Sequence, residues 1–319
     1  MSTTILRPTT HDEWLKIREG GIGSSEVGTI LGLNPFETPY QLWRRKLGMD
    51  PPKEQNFAMR AGHYLEDAVS QFYRDETGKE IIKSSAGDWI IRSDSYPYMQ
   101  VSPDRTYWIP GLPKNGANKG ILECKTTQIE VDGDSVPQHW FAQLQYQLGV
   151  AELQQGALAW LTMGRSFGYR DFEFDREFFD FMVEEVTRFW VDNIQGKQEP
   201  LLENVDDVLL RNPRHVVGKS VMADEELIDK CRVLKEIKEE LSALDSRKKE
   251  IESELKMAMG DAEALVAPTD GIGKPQILAT WKAAKDSLKF DEKKFATEMP
   301  DVYAGFQFIQ PGSRRFLLK

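Results

Sequence analysis

The chain has 319 residues, 40% of them hydrophobic, with 8 tryptophans, 2 cysteines and a formal net charge of −10. That is enough apolar material for one large core and a smaller second module, and it excludes a disordered chain. No apolar run approaches the roughly 18 residues of a membrane span, and the opening MSTTILRPTTHDEW lacks the basic-then-apolar order of a secretory leader, so a cytosolic protein is expected.

Cys124 and Cys231 lie far apart in the sequence. They exclude a disulfide framework and any four-cysteine zinc or iron–sulfur site within one chain. The acidic balance weighs against a nucleic-acid partner, because phosphate neutralisation supplies most non-specific affinity. A basic channel can still coexist with acidic outer faces and with carboxylates kept for metal ions.

Taken in chain order, Ser24-Ser25-Glu26 opens a helix, and Phe57 to Thr77 has the pattern of a long one. Gly87 to Arg92, Met99 to Val101 and Gly120 to Thr126 read as strands, separated by turns rich in Gly, Pro and Asn. A helix over Gln138 to Leu153 follows, then strands over Ala157 to Met163 and Tyr169 to Phe174, and a helix from Arg176 to Ile194. Strands flanked by helices at both ends predict an α/β sheet with covered faces.

The turn chemistry of Asn212-Pro213-Arg214 and Gly218-Lys219-Ser220 marks a boundary near 215 to 223, giving modules at 1–215, 223–260 and 261–319. In the middle one, Leu227, Leu234, Leu241 and Leu255 fall on one heptad position, broken by Lys248, and Ile237, Leu244, Ile251 and Ala258 on the other. This is a coiled-coil-like seam that serves equally for a helix packed back on its own chain or for an intermolecular coiled coil. Gly260 ends it as a cap. Beyond it, Ile277 to Lys282 and Arg315 to Leu318 read as short strands and Asp291 to Glu298 as a helix, a small α+β tail.

The chemistry concentrates in Ser102-Pro103-Asp104, followed nineteen residues after Asp104 by Glu123-Cys124-Lys125. On a strand the period of two sets Glu123 and Lys125 on one face, about 7 Å apart, with Leu122 and Cys124 on the other. Asp104 arrives from the turn after a neighbouring strand, so two carboxylates can share a divalent ion while Lys125 orients a water against a phosphate. An E-x-K pair alone is more often a solvated surface ion pair. The apolar Ile121, Leu122 and Cys124 argue instead for a buried strand, where charges are expensive unless they pair or bind metal. Cys124 reads as a small core residue rather than a nucleophile.

These residues resemble the nuclease core of the PD-(D/E)xK superfamily, and in particular the phage-type, lambda-exonuclease-like and YqaJ-type viral recombinases. Three further elements recur in the family's order: Trp14 through Arg18 to Ser25, the G-x-x-x-E of Gly62 to Glu66, and Ala142-Gln143-Leu144-Gln145-Tyr146. The resemblance implies a restriction-endonuclease-like core with a central mixed sheet flanked by helices. It implies Mg²⁺, or Mn²⁺, held by Asp104, Glu123, Glu66 and the backbone carbonyl of Cys124, with Lys125 on the attacking water and Gln143 on the lysine or the DNA backbone. Tyr146, three residues from Gln143, is expected to share its DNA-facing side.

Arg18 and Ser25 would hold a terminal 5′ phosphate at a helix N-terminus. An extra acidic position of some relatives corresponds to Asp94. The implied activity is 5′ to 3′ digestion of one strand of duplex DNA, leaving a 3′ overhang for a single-strand annealing protein. The enzyme would be a ring-shaped homo-oligomer encoded by a phage or mobile element and acting in the cytoplasm of a bacterial host. Two alternatives are an endonuclease, in which Arg18 and Ser25 are structural, and a non-catalytic DNA-binding or assembly factor.

Overall fold

In the computed structural model, residues 2–51, 56–82, 89–162, 165–268, 275–310 and 312–318 are described, and the chain divides into two units, Met1–Arg211 and Asn212–Lys319. The first unit begins with β1 (Thr3–Leu6), α1 (His11–Glu19), β2 (Ile22–Gly23), α2 (Ser24–Ile30), α3 (Pro39–Lys46) and α4 (Phe57–Thr77). Then come β3 (Ile81–Ile82), β4 (Ile90–Ser93), β5 (Met99–Val101), β6 (Arg105–Trp108), β7 (Lys119–Thr127) and α5 (Gln138–Ala151). It closes with β8 (Gln155–Thr162), β9 (Ser166–Glu173), α6 (Arg176–Arg188) and α7 (Val205–Arg211).

The strands form two sheets, one ordered β3-β6-β7-β8-β9 and a smaller one ordered β1-β4-β5-β2. In the larger sheet β7 and β8 run parallel and the other neighbours antiparallel. A parallel pair needs a crossover, and α5 supplies it. Both faces of β7 are therefore covered. Leu122 and Cys124 join Val69 and Tyr73 of α4 in one cluster, while Ile121 joins Trp140, Leu144 and Leu148 of α5 in another.

Helix α5 is buried nearly all round, as a helix between two layers must be. Leu144 and Leu148 face the larger sheet; Ala142, Tyr146 and Val150 pack with Ile22, Val27, Met99 and Val101 from α2 and the smaller sheet. Gly149 lets α6 approach closely, since a Cβ there would lie 2.2 Å from the Phe179 ring. The strip between these apolar faces carries Gln143 and Gln147, one turn apart, and it overlies β7.

Several differences from the sequence expectation have local causes. The mixed sheet flanked by helices is present, but β6 is an element that periodicity missed, because four residues, R-T-Y-W, are too few to show a period of two. The expected strand from Gly87 begins at Ile90; residues 87 and 88, and Met163 of the expected Ala157 to Met163, lie outside the described residues. The helix expected to Ile194 is α-helical to Arg188 and continues as a π-helical turn over Phe189–Gln195. There Gly196 N–H bonds to Val191 C=O, and the carbonyl of Asn193 accepts from the Trp43 indole at 2.9 Å.

The second unit contains α8 (Glu225–Met259), β10 (Ala264–Val266), β11 (Ile277–Thr280), α9 (Glu292–Glu298) and α10 (Pro300–Gly305). Asp224 caps α8 by accepting from Leu227 N–H, and Gly260 ends it at a φ of 57°. The strand expected over Arg315 to Leu318 is absent: β11 pairs antiparallel with β10, so its partner is the segment just after α8. A short strand persists only where an edge accepts it. No helix among the described residues is long and apolar enough to cross a membrane.

Candidate active site

Ser102-Pro103-Asp104 links β5 to β6, and Ser102 Oγ fixes the turn by donating to the Trp89 carbonyl at 2.6 Å. β6 pairs with β7 only as far as Arg105 opposite Leu122. Beyond that point the Asp104 side chain replaces the missing strand, and its Oδ2 accepts from Cys124 N–H at 2.8 Å. In a strand the N–H and C=O of one residue point to the same edge. The Cys124 carbonyl therefore lies on the open edge beside Asp104.

Glu123 and Lys125 project from the opposite face to Leu122 and Cys124, toward α5. Lys125 Nζ lies 2.7 Å from Glu123 Oε1 and 2.8 Å from Gln143 Oε1, and Gln143 Nε2 donates to Glu123 Oε1 at 2.5 Å. Gln147 Nε2 donates to Glu123 Oε2 at 2.8 Å and to Ser24 Oγ at 3.1 Å. Both oxygens of a carboxylate that is only 3% exposed are thus satisfied. Sequence reasoning missed Gln147; its spacing of four from Gln143 on one helix strip was the available signal.

Charge at this spot is unbalanced. Burial, then the Glu123 and Glu66 carboxylates, push Asp104 well above the ordinary carboxylate range, against the pull of Lys125 and the Cys124 N–H. Burial also raises Glu66, opposed by His63 and Arg105. Lys125 would be lowered by burial, but Glu123 and Asp104 hold it above its ordinary value, so it stays an ammonium. Cys124 is buried, and burial followed by Asp104 pushes its thiol well up, away from nucleophilic chemistry.

Among the described residues no three Asp, Glu, His or Cys side chains stand close enough to cage a cation by themselves. The donor set nevertheless has hard-cation chemistry: carboxylates that repel one another and a strand-edge carbonyl. An open set of this kind would be completed by water or by a substrate oxygen. Glu66 is tethered from α4, with Oε1 3.4 Å from His63 Nδ1 and Oε2 3.9 Å from Arg105 NH1.

Arg18 and Ser25 also meet. Arg18 NH2 donates to Ser25 Oγ at 3.3 Å, and its guanidinium lies 4.4 Å from the centre of the Trp14 ring. The N-terminus of α2 is not bare, however. Gly23 N–H is taken by Glu26 Oε2 at 2.9 Å, and Glu26 is itself paired with Lys46 at 2.8 Å and Arg45 at 3.1 Å.

Two expected residues fall elsewhere. Tyr146 is fully buried and donates its hydroxyl to the Ile22 carbonyl at 3.2 Å. A side chain with no exposed surface cannot meet DNA; on α5 a step of three residues turns it from the Gln143 strip into the second core. Asp94 sits at the end of β4, where its carboxylate accepts from Thr4 Oγ1 at 2.7 Å, and it takes no part in the network around Asp104.

The same segment is where known proteins match. A family model described as the YqaJ-like viral recombinase domain covers residues 13–154. The chain is 33% identical over 308 residues to YqaJ of Bacillus subtilis (strain 168), spanning 92% of this chain and 90% of that protein. It is 24% identical over 159 residues to R354 of Acanthamoeba polyphaga mimivirus, 45% of this chain and 27% of that one. Among solved structures, an alkaline exonuclease (LHK-Exo) from Laribacter hongkongensis aligns with 18% identity and a TM-score of 0.46, covering 58% of this chain and 93% of that chain. A phage related exonuclease from Haemophilus somnus 129PT aligns with 12% identity and a TM-score of 0.39, covering 56% and 96%. With the family model seated on the stretch that carries Arg18, Glu66, Asp104, Glu123, Lys125 and Gln143, and a relative one-third identical along nearly its whole length, the chain belongs to the YqaJ-like viral recombinase family.

Proposed function

We propose that the chain is a Mg²⁺-dependent DNA exonuclease of the PD-(D/E)xK type, digesting one strand of duplex DNA from the 5′ end and leaving a 3′ overhang for a single-strand annealing partner. The observation that carries this reading is the convergence of Asp104, Glu123 and the Cys124 carbonyl edge beside an ammonium, Lys125, that its neighbours keep charged. Membership of a viral recombinase family supports DNA as the substrate.

Asp104, Glu123 and the Cys124 carbonyl would hold the metal, with Glu66 on its outer side; Mn²⁺ suits the same oxygens. When bound, such a cation supplies charge to the scissile phosphate and acidifies an attacking water. Lys125 orients that water and offsets the charge that builds on the phosphate. Gln143, bonded to Lys125 and Glu123 together, fixes the geometry of that ion pair. Arg18 and Ser25 would grip the terminal 5′ phosphate, Arg18 through its planar fork. Glu26 already occupies the Gly23 N–H at the end of α2, so the side chains of Arg18 and Ser25 carry the main part of this grip. Each cleavage exposes a new 5′ phosphate for the same residues, and a ring-shaped homo-oligomer would keep the enzyme on its product.

End-labelled duplexes with 5′-phosphate or 5′-hydroxyl ends, digested beside a covalently closed circle, test this. Phosphorylated ends should be shortened first, leaving 3′ overhangs, and the circle should survive. Cutting of the circle would make the chain an endonuclease. DNA binding without any cleavage would make it a non-catalytic factor.

A further inference from the structure

The apolar seam of α8 stands exposed: Leu227, Ile237, Leu241, Leu244, Ile251 and Leu255 are each between 40% and 62% accessible. A helix of 35 residues with such a stripe draws most of its stability from covering it. We infer that the cover is a second copy of α8 laid antiparallel, so that the chain self-associates through this helix whether or not the reading of the first unit holds.

The heptad positions choose this orientation. Leu227, Leu234, Leu241, Lys248 and Leu255 occupy one core position, and Lys230, Ile237, Leu244, Ile251 and Ala258 the other. In a parallel, in-register pair Lys248 would meet the partner's Lys248, and Lys230 the partner's Lys230, inside the seam. Antiparallel pairing centred on the middle of α8 avoids both. Leu241 then packs with the partner's Leu244, Leu234 with the partner's Ile251 and Leu227 with the partner's Ala258. Lys248 and Lys230 lie against the partner's Ile237 and the partner's Leu255, and their long stems reach water from there.

The flanking charges choose the register. In the centred antiparallel pair Lys238 stands beside the partner's Asp245, and Glu240 beside the partner's Arg247, each contact made twice by the two-fold axis. Sliding by one heptad in one direction sets Lys238 on the partner's Lys238 and Glu240 on the partner's Glu240. Sliding the other way sets Asp245 on the partner's Asp245 and Arg247 on the partner's Arg247. The parallel arrangement places Glu240 beside the partner's Asp245, cancelling what Arg247 gains beside the partner's Glu252, and it keeps both lysine pairs in the seam. Of these registers the one that satisfies the charges has its axis between Ser242 and Ala243, within one residue of the midpoint of Glu225–Met259, so the two helices overlap along nearly their whole length.

The test uses the full chain in sedimentation equilibrium and light scattering. Leu241→Asp with Leu244→Asp, at exposed positions outside the first unit, is expected to weaken self-association at least about 100-fold, with the helix signal of α8 in circular dichroism falling alongside it. Lys238→Glu alone should weaken it about tenfold, and adding Asp245→Lys should restore it. For orientation, Glu252→Cys beside the exposed native Cys231 should give a link between residues 231 and 252 of different copies with a short bis-maleimide. A monomer at all concentrations, a mass unchanged by Leu241→Asp with Leu244→Asp, or a link from residue 231 to residue 231 would overturn the inference. Cleavage by the first unit is measured separately on the same samples, so loss of the association and failure of the nuclease reading remain distinguishable.

Discussion

Gln147 holds Glu123 from inside the core: its side-chain amide donates to Glu123 Oε2 at 2.8 Å and to Ser24 Oγ at 3.1 Å, and it is itself fully buried. Because Ser24 adjoins the Ser25 that meets Arg18, one amide ties the carboxylate of the candidate cleavage site to the candidate end-binding residues. Its Oε1 is buried and has no hydrogen-bond partner among the described residues. An unsatisfied buried acceptor is destabilising, so this side chain is better suited to positioning than to stability.

Gln147→Leu removes both hydrogen bonds and the unsatisfied oxygen together. Because Glu123 Oε2 loses its donor, unfolding in urea should show a loss of about 1–2 kcal/mol, limited by the removal of the unsatisfied oxygen. Single-turnover cleavage should fall about 10- to 100-fold, the usual effect of losing a group that orients a metal ligand. A stability loss of several kcal/mol with unchanged cleavage would make Gln147 purely structural.

Asp104→Asn keeps an acceptor for Cys124 N–H and removes a charge that burial, Glu123 and Glu66 all oppose. Ionising a group whose folded-state pKa is raised works against folding. The metal-free variant should accordingly melt higher than the parent above the ordinary carboxylate range, and the gain should vanish in acid where Asp104 is protonated. Calorimetry should also show Mg²⁺ raising the Tm of the parent but not of the variant, with cleavage lost at least about 1,000-fold. Lys125→Ala should abolish cleavage as well, but lower stability by about 3 kcal/mol, since it strips the buried Glu123 of its cation.

Arg18→Ala should leave the fold intact, because the guanidinium bonds outward to an exposed Ser25 Oγ. The expected change is a loss of discrimination between 5′-phosphorylated and 5′-hydroxyl duplex ends, about tenfold or more, read from competing end-labelled substrates. An unchanged ratio would assign Arg18 to its stacking on Trp14 and to structure alone.

Glu26 provides the pH-dependent element. Burial alone would raise its pKa, but Lys46 and Arg45 hold it below the ordinary value. Lys46 is also lowered, because its own burial outweighs the single carboxylate it faces and Arg45 and Arg18 repel it. Glu26 meets two cations and a backbone N–H, so it is the partner whose ionisation favours the fold. Its contribution is present above the ordinary glutamate range and is lost as pH falls through the depressed value. Glu26→Gln should cost about 3 kcal/mol at neutral pH by leaving Lys46 buried and unpaired. The gap from the parent should narrow in acid, as urea unfolding across pH will show.

How much of this was legible in the sequence differs by element. The limits of α4 and the start of α5 follow from periodicity, because each is long enough to carry its own signal, and those of β5 follow from the Pro-containing turns on either side of it. The pairing of Glu123 with Lys125 follows from the period of two along β7. Gln147 was not legible: a glutamine one turn from another reads as a polar helix face, and only the second layer packed over that strip turns it inward. Tyr146 was misplaced for the same reason, since the sequence does not tell which side of α5 meets a second core.

The sequence by itself determined which residue types lie at which spacing: the S-P-D and E-x-K segments, the two glutamines one turn apart, and the heptads of α8 with their flanking charges. These are local facts, set by the periods of strand and helix. The tertiary structure alone decided that Asp104 closes the edge left where β6 ends, that Gln143 and Gln147 together hold Glu123, and that Glu26 caps α2. Asp104 answers a backbone N–H and the two glutamines a buried carboxylate, each from a segment distant in the chain, while Glu26, which bonds Gly23 within its own turn, is held in place by Arg45 and Lys46 of α3.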